Sequence, residues 1–315
     1  MFPFLLIFIS SLFFVGIINR VRSRLCGRQG PGIWQALFDI WRLFNKSTIY
    51  SRDTSFIFQI APTVSFASII CAILVVPFDG HAGFLSFEGD FIFFAYILAT
   101  GKFFMILSAL DTGSPFEGMG ANREALYSML VEPAFFILIG SLAMLTNNTS
   151  FFEIFNALHA DSSVSAFLVI LATYLIFQIT LIENSRLPVD DPKTHLELTM
   201  VHEVMILDNS GFDLGLLLYG NSLKFAMYGL LIANFFHDLI IPADNFFANA
   251  GVPLLAEIPK ILLCLTVQVI FAAAVGFSES FRSRAPMRHN PQIIFTLTAI
   301  ALLVFFSVLI ISNKL

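Results

Sequence analysis

An all-α, polytopic membrane helix bundle of about eight transmembrane helices, with an amphipathic helix on the cytoplasmic side, is predicted by three features of this chain. Runs of about 20 apolar residues recur along its length, and each is long enough to cross roughly 30 Å of hydrocarbon at 1.5 Å per residue. The composition is 57% hydrophobic and only 12% charged, with 38 Phe, which leaves too little polar surface for a water-soluble domain. Lys and Arg, finally, fall in alternate loops. Barrel strands would instead give short segments of alternating hydrophobicity.

The spans lie near 2–19, 55–77, 91–110, 125–146, 164–184, 214–239, 257–278 and 292–312, and 1–315 reads as a single integral-membrane domain. Arg20, Arg22, Arg24, Arg28, Arg42, Lys46 and Arg52 occupy the first loop; Arg123, Arg186, Lys193, Arg282, Arg284 and Arg288 occupy later loops of the same side. Only Lys260 and Lys314 fall on the other side. This bias predicts that the Arg-rich side is cytoplasmic, with both termini outside. The apolar N-terminus has no basic leader and no small-residue cleavage site, so it reads as a retained first helix rather than a signal peptide.

Cys26, Cys71 and Cys264 are scattered without Cys-x-x-Cys spacing, so the chain by itself can hold neither a four-cysteine iron–sulfur cluster nor a cysteine-rich nickel site. It also lacks a Gly-rich nucleotide fingerprint. Any redox cofactor is expected in partner subunits, and no catalytic metal centre in this chain.

In the first loop, after Pro31, the apolar residues Trp34, Leu37, Phe38, Trp41 and Phe44 recur at helical spacing, while Gln35, Asp39, Arg42 and Lys46 fall elsewhere. This predicts an amphipathic helix lying in the interface, either a simple anchor or the entrance wall for a lipid-like molecule. The next loop, DTGSPFEGMGANRE, has three glycines around Ser114-Pro115 and reads as a connector or a mobile functional loop ending at an Asn122 helix cap.

Glu132-Pro133 sits inside the fourth span. A carboxylate there costs roughly 2.5–3.5 kcal/mol on insertion scales and is expected to face the bundle interior with a partner. Pro133 cannot donate to the Met129 carbonyl, so carboxyl group, freed carbonyl and water could form a proton station; a Glu satisfied by a neighbouring helix is the alternative. Lys224 in the sixth span, with His237 and Asp238 at its outer end, extends the polar residues; Lys224 and Asp238 are about 21 Å apart on nearly one helix face. Lys102 in the third span is a similar candidate; a lysine snorkelling to a helix end is the alternative, and it suits Lys102 better than mid-span Lys224. The seventh and eighth spans carry no mid-membrane charge and look like packing helices.

Residues 183–213 hold seven acidic residues against Arg186 and Lys193, a balance of −5 that equals the net charge of the whole chain. Leu187-Pro188 ends the fifth span after Glu183, and Pro192 with Thr194 can start a short helix. His195 and His202 would then share a face, with Glu197 and Glu203 beside them. The spacing matches no zinc motif. A carboxylate and imidazole relay fits the residue types; a solvated acidic loop that docks a partner also does.

Three stretches carry a resemblance: the first loop with Arg28, Gly30-Pro31, Gln35, Asp39 and Arg42; GANREALYSMLVEP; and ENSRLPVDDPKTHLELTMVHE followed by Ser-Gly and a span. Together they resemble the family of membrane subunits shared by respiratory complex I and group 4 membrane-bound nickel–iron hydrogenases, the hydrogenase-4 and formate hydrogenlyase membrane components included. The resemblance implies an energy-coupling component of a multisubunit oxidoreductase that anchors a peripheral redox arm and relays redox-linked protonation toward antiporter-like proton-pumping subunits. The implied relay is Arg123, Glu132, Glu183, Arg186, Asp190, Asp191, Glu197 and Glu203, continued by Lys224 and Asp238. Arg28, Gln35, Asp39, Arg42, Ser114, Pro115 and Glu117 are the implied contacts to a quinone cavity or the redox arm.

Further implied are partner subunits on the cytoplasmic face, iron–sulfur and large catalytic, carrying iron–sulfur clusters and, in the hydrogenase branch, nickel–iron; nucleic acid is not an expected partner. Gln35 follows Pro31 after only three residues, Lys193-Thr194-His195 interrupts the acidic run, and Asp208 replaces a Glu, all features resembling the hydrogenase branch, where quinone reduction is not expected. A quinone-binding subunit of an NADH:quinone oxidoreductase and a stand-alone ion transporter are the alternatives; no internal repeat supports the latter.

Overall fold

The computed structural model describes residues 2–78, 80–158, 163–190, 200–240, 253–283 and 289–312, with the backbone alone for 2–5, 163, 237–240 and 253–259. Among the described residues the chain forms helices and no strand: α1 (Phe2–Leu25), α2 (Gln35–Phe44), α3 (Phe56–Val75), α4 (Asp90–Asp111), α5 (Pro115–Thr146), α6 (Phe151–Ala157), α7 (Ser163–Glu183), α8 (His202–Met205), α9 (Gly211–Ile240), α10 (Pro253–Phe281) and α11 (Asn290–Ile311). Eight of them are long and apolar enough to cross a membrane, matching the eight expected spans. The short α6 and α8 lie between spans.

Helix starts follow local chemistry. Ser55 caps α3, its Oγ accepting from Ile57 N at 3.2 Å, and its own N–H donates to Asp111 at the end of α4 at 2.7 Å. These two bonds satisfy amide groups at the start of α3 and tie it to the Asp111 carboxylate at the end of α4. Ser114 and Pro115 supply the N-cap and first position of α5. The expected loop over 111–124 is therefore mostly helix, and Asn122 lies inside α5 rather than capping it. Gly120 serves packing here: a Cβ would sit 2.8 Å from the Val201 carbonyl oxygen, so glycine lets α8 approach α5.

α9 is the central helix. It packs against α1, α2, α3, α7 and α10, and 83% of its apolar window is buried, against 28–56% for the other spans. Any polar group on it must find a partner inside the bundle. Around it α3 pairs with α4, α5 with α11 and α1 with α10. At the end of the bundle holding α6, Phe94 stacks on Phe135 at 5.7 Å and meets Phe151 edge-on at 5.4 Å.

α2 crosses the opposite, Arg-rich end against α1 and α9. Trp34, Phe38 and Trp41 are exposed, Leu37 and Phe44 half-buried and Ile40 buried. The apolar side thus extends from the bundle contact around to an outward aromatic edge. Trp34 meets Phe13 of α1 edge-on at 4.8 Å.

Candidate functional site: a buried ion tetrad and its cavities

Glu183 ends α7, where the helix turns into a tight Asn184–Asp190 linker. Its carboxylate lies between two lysines: Lys102 Nζ of α4 is 2.6 Å from Oε1 and Lys224 Nζ of α9 is 2.8 Å from Oε2. Lys102 also donates to Ser128 Oγ at 3.1 Å and is 3.6 Å from Glu124 Oε1, both on α5. Four helices therefore contribute to one buried cluster. Its two carboxylates and two ammonium groups balance to zero. Burial of isolated charges costs several kcal/mol each, so such a cluster is tenable only when paired, and gaining or losing one proton leaves an uncompensated charge inside the bundle.

Two cavities adjoin the tetrad, and a third borders the first of them. The first, about 60 Å³, is lined by Lys102, Glu124, Glu183 and Lys224 together with Ser65, Ser68 and Asn221. Water fits, since one molecule needs roughly 10–15 Å³ of such space. A second, about 30 Å³, lies beyond Lys102 and Glu183 and is lined by Ser128, Tyr228 and Glu132. The third, about 270 Å³, lies under α2; Gln35 and Asp39 line it, with Arg186, Asp190 and Glu203 across from them.

A second charge cluster backs the largest cavity. Glu279 of α10 has a fully buried side chain, 3.4 Å from Arg186 Nη1 and 3.5 Å from Arg22 Nη1 of α1. Asp190 Oδ2 accepts from the backbone of Val201 at 3.0 Å and His202 at 3.3 Å. Asn290 Nδ2 donates to the Val189 carbonyl and to Tyr127 Oη. The linker after α7 is thus held by α10 and α11, with Tyr127 of α5 bonded to the same Asn290.

The expected relay residues are only partly together. Glu183 and Lys224 form the tetrad, Arg186 and Glu203 line the large cavity, and Asp190 holds the start of α8. Arg123 donates to the Met200 carbonyl at 3.0 Å and contacts Met119 Sδ, so it steadies the segment entering α8 rather than joining the tetrad. Asp191 and Glu197, with His195 and the expected helix after Pro192, lie outside the described residues, as does the side chain of Asp238.

Glu132 corrects the expectation of an interior carboxylate: it is exposed on the outer face of α5, touching the interior only through the second cavity. A helix presents each position to one direction, and α5 turns Val131 and Ala134 inward instead. Lys102 corrects the snorkelling reading, because it sits near the middle of α4 and finds a carboxylate inside. Glu279 lies just past the expected seventh span of 257–278, in the last turn of α10, so it is a helix-end carboxylate rather than a mid-membrane charge.

Of the expected cavity contacts, Gln35 and Asp39 line the large cavity and Gln35 Nε2 donates to Asp39 at 2.9 Å. Arg28 and Arg42 are exposed and line none of the three cavities. Ser114 and Pro115 open α5, and Glu117 is buried, accepting from Asp208 N at 3.0 Å. These three lie at a different place, beside α8. Sequence reasoning missed Glu124, which reads as a first-turn acid, and Glu279; a carboxylate at a helix end was the only signal for either. Among the described residues no three His, Cys, Asp or Glu side chains are grouped to hold a metal ion.

A bundle of eight span-length helices with paired charges in its interior defines a polytopic membrane protein. Residues 1–312 match the NADH dehydrogenase family, and the chain belongs to that family. It is 31% identical over 293 residues to hydrogenase-4 component C of Escherichia coli (strain K12), covering 91% of this chain and 89% of that protein. It is 28% identical over 308 residues to formate hydrogenlyase subunit 4 of the same organism, covering 97% and 96%. The fold is similar to a chain of the membrane-bound sulfane sulfur reductase, an archaeal respiratory membrane complex, with a TM-score of 0.77 over 97% of this chain and 98% of that one at 21% identity. This is a hydrogenase-like and complex I-like membrane protein.

Proposed function

We propose that this chain is the energy-coupling membrane subunit of a multisubunit oxidoreductase of the group 4 hydrogenase type, and that the Lys102–Glu124–Glu183–Lys224 tetrad converts redox chemistry in a partner into proton movement. The single observation that carries this is the Glu183 carboxylate held between two lysines at 2.6 and 2.8 Å, with small polar cavities on either side. A charge change near the large cavity shifts the balance of the tetrad, and the tetrad passes it through the second cavity to Glu132. The exposed Glu132 is where an antiporter-like membrane subunit would take the proton onward.

The Arg-rich side carrying α2 is assigned to the cytoplasm by the bias of basic loop residues. Peripheral iron–sulfur and large catalytic subunits would dock there, with iron–sulfur clusters and nickel–iron held in them. The names of the two bacterial relatives, each one component of a hydrogenase or hydrogenlyase, support membership of such an assembly.

The test is the assembled complex in liposomes with a lumenal pH-sensitive dye and reduced methyl viologen as electron donor. Glu183→Gln and Glu132→Gln are expected to abolish proton translocation while the complex still assembles. Unaltered translocation in both variants would sink the relay.

A quinone-binding subunit is the second reading, favoured by the size of the cavity under α2. At about 270 Å³ it accommodates a headgroup; Gln35 and Arg186 offer the hydrogen-bond donors that would hold quinone oxygens. A photoreactive quinone analogue would then label α2 or residues 184–190. Absence of labelling there removes this reading and leaves the first intact.

A further inference from the structure

The large cavity under α2 and the small cavity at the tetrad share three lining residues: Asn184, His202 and Asn221. These form the wall between the two spaces. Asn184 Nδ2 donates to the Thr180 carbonyl at 3.0 Å, while its Oδ1 is buried without a hydrogen-bond partner. A buried unsatisfied amide oxygen beside two polar cavities is a place for water. Among the described residues of this shared wall, only His202 has a side chain that can change its protonation state.

We propose that His202 is the proton-passing group between the two cavities, the step by which a proton from the cavity under α2 reaches the ion tetrad. The inference rests on the coupling role proposed above and names where the proton comes in. Imidazole suits the task because it accepts a proton on one ring nitrogen while releasing the proton of the other, so the ring ends neutral and the proton has crossed the wall. Neither asparagine can do this; they hold water at the constriction.

The charged groups around His202 come from each neighbouring element. On the large-cavity side are Arg186 and Asp190 of the linker, Asp39 of α2 and Glu203, its own neighbour. On the tetrad side are Lys102 of α4, Glu124 of α5, Glu183 of α7 and Lys224 of α9. His202 is fixed at its backbone, where its N–H donates to Asp190 Oδ2 at 3.3 Å. That bond holds the main chain at the wall, with the ring lining both cavities.

The test is His202→Ala in the assembled complex in liposomes, with reduced methyl viologen as donor, a lumenal pH dye, and free imidazole added or withheld. Protons moved per electron are expected to fall close to zero, because loss of a positioned acid–base group slows the transfer by about 10²-fold or more. Imidazole, which can enter the large cavity, is expected to restore them. A wild-type ratio in the variant overturns the proposal, and so does a loss that imidazole fails to rescue, which makes His202 a purely structural residue. Should His202→Ala not assemble, His202→Gln keeps bulk and a hydrogen-bond donor; it is expected to lose translocation, and retention overturns the proposal. If the unaltered complex moves no protons, it is the coupling role itself that fails.

Discussion

Lys224 binds Glu183 twice: its Nζ donates to the backbone carbonyl at 2.6 Å and lies 2.8 Å from the carboxylate Oε2 of the same residue. One ammonium group thus satisfies both the last carbonyl of α7, which has no intrahelical partner, and the charge at its end. The protonation state of the tetrad is thereby tied to the position of the α7 terminus and of the linker that follows. This gives a physical route from charge to geometry.

Removing that group should be costly. Lys224→Met leaves the Glu183 carboxylate with Lys102 alone and its carbonyl unpaired. Breaking a buried ion pair costs about 3–5 kcal/mol, so the variant should unfold at a markedly lower temperature in detergent. Lys224→Arg, which restores the charge on a longer and wider group, should recover only part of the loss. A Tm for the Met variant within a degree of the parent would show that Lys224 contributes little to holding α7.

Glu279 stands between Arg22 and Arg186 with a side chain wholly out of solvent. Glu279→Gln leaves two guanidinium groups facing a neutral amide, again a loss of about 3–5 kcal/mol. Combining it with Arg186→Met should restore part of the stability, because the unpaired charge is removed with its partner. Thermal unfolding of the two single variants and the double variant closes the cycle. Strict additivity would mean that Glu279 and Arg186 do not interact.

Eight spans were legible because hydropathy over about 20 residues reports length and apolarity directly. The acidic segment and the importance of Glu183 and Lys224 were legible too, since ionisable residues near or inside apolar runs are rare. What the linear pattern lacks is azimuth, the direction in which a position faces once helices pack. Lys102 and Glu132 show this in opposite ways: the lysine assigned to the helix end turns inward to Glu183, and the glutamate assigned to the interior faces outward. Glu124 and Glu279 became meaningful only when α5 and α10 were set beside their neighbours. Ser114-Pro115, by contrast, was a readable helix start whose signal was masked by the three glycines around it.

Gly120 gives a steric test of the contact between α5 and α8. A Cβ there would lie 2.8 Å from the Val201 carbonyl oxygen and within 3.3 Å of the Val204 and Met205 side chains. Gly120→Ala should therefore push α8 away and destabilise by about 1–3 kcal/mol, the usual cost of overpacking. Since His202 opens α8, the same variant should also widen the wall between the two cavities, read as faster hydrogen exchange at 201–206. Gly118→Ala, where a Cβ meets only the end of Leu110 at 4.0 Å, is the matched control and should leave exchange unchanged.

At the other end of the bundle, Asp90 is fully buried and accepts from Phe151 N at 2.8 Å, Ser150 Oγ at 2.9 Å and Ser86 Oγ at 3.2 Å. It thereby joins the start of α4 to the start of α6 across a sequence gap of 60 residues. Asp90→Ala would strand the Phe151 amide, while Ser86 and Ser150 keep their mutual hydrogen bond at 3.1 Å, and a buried unsatisfied group costs about 1–3 kcal/mol. The expected outcome is loss of hydrogen-exchange protection at the Phe151 amide and easier proteolysis around 147–158, with proton translocation spared because the tetrad lies on the far side of the Phe94 and Phe135 stack. Asp90→Asn keeps one acceptor and should fall between the two. Protection of the Phe151 amide undiminished in Asp90→Ala would mean that α6 is held by its aromatic packing alone.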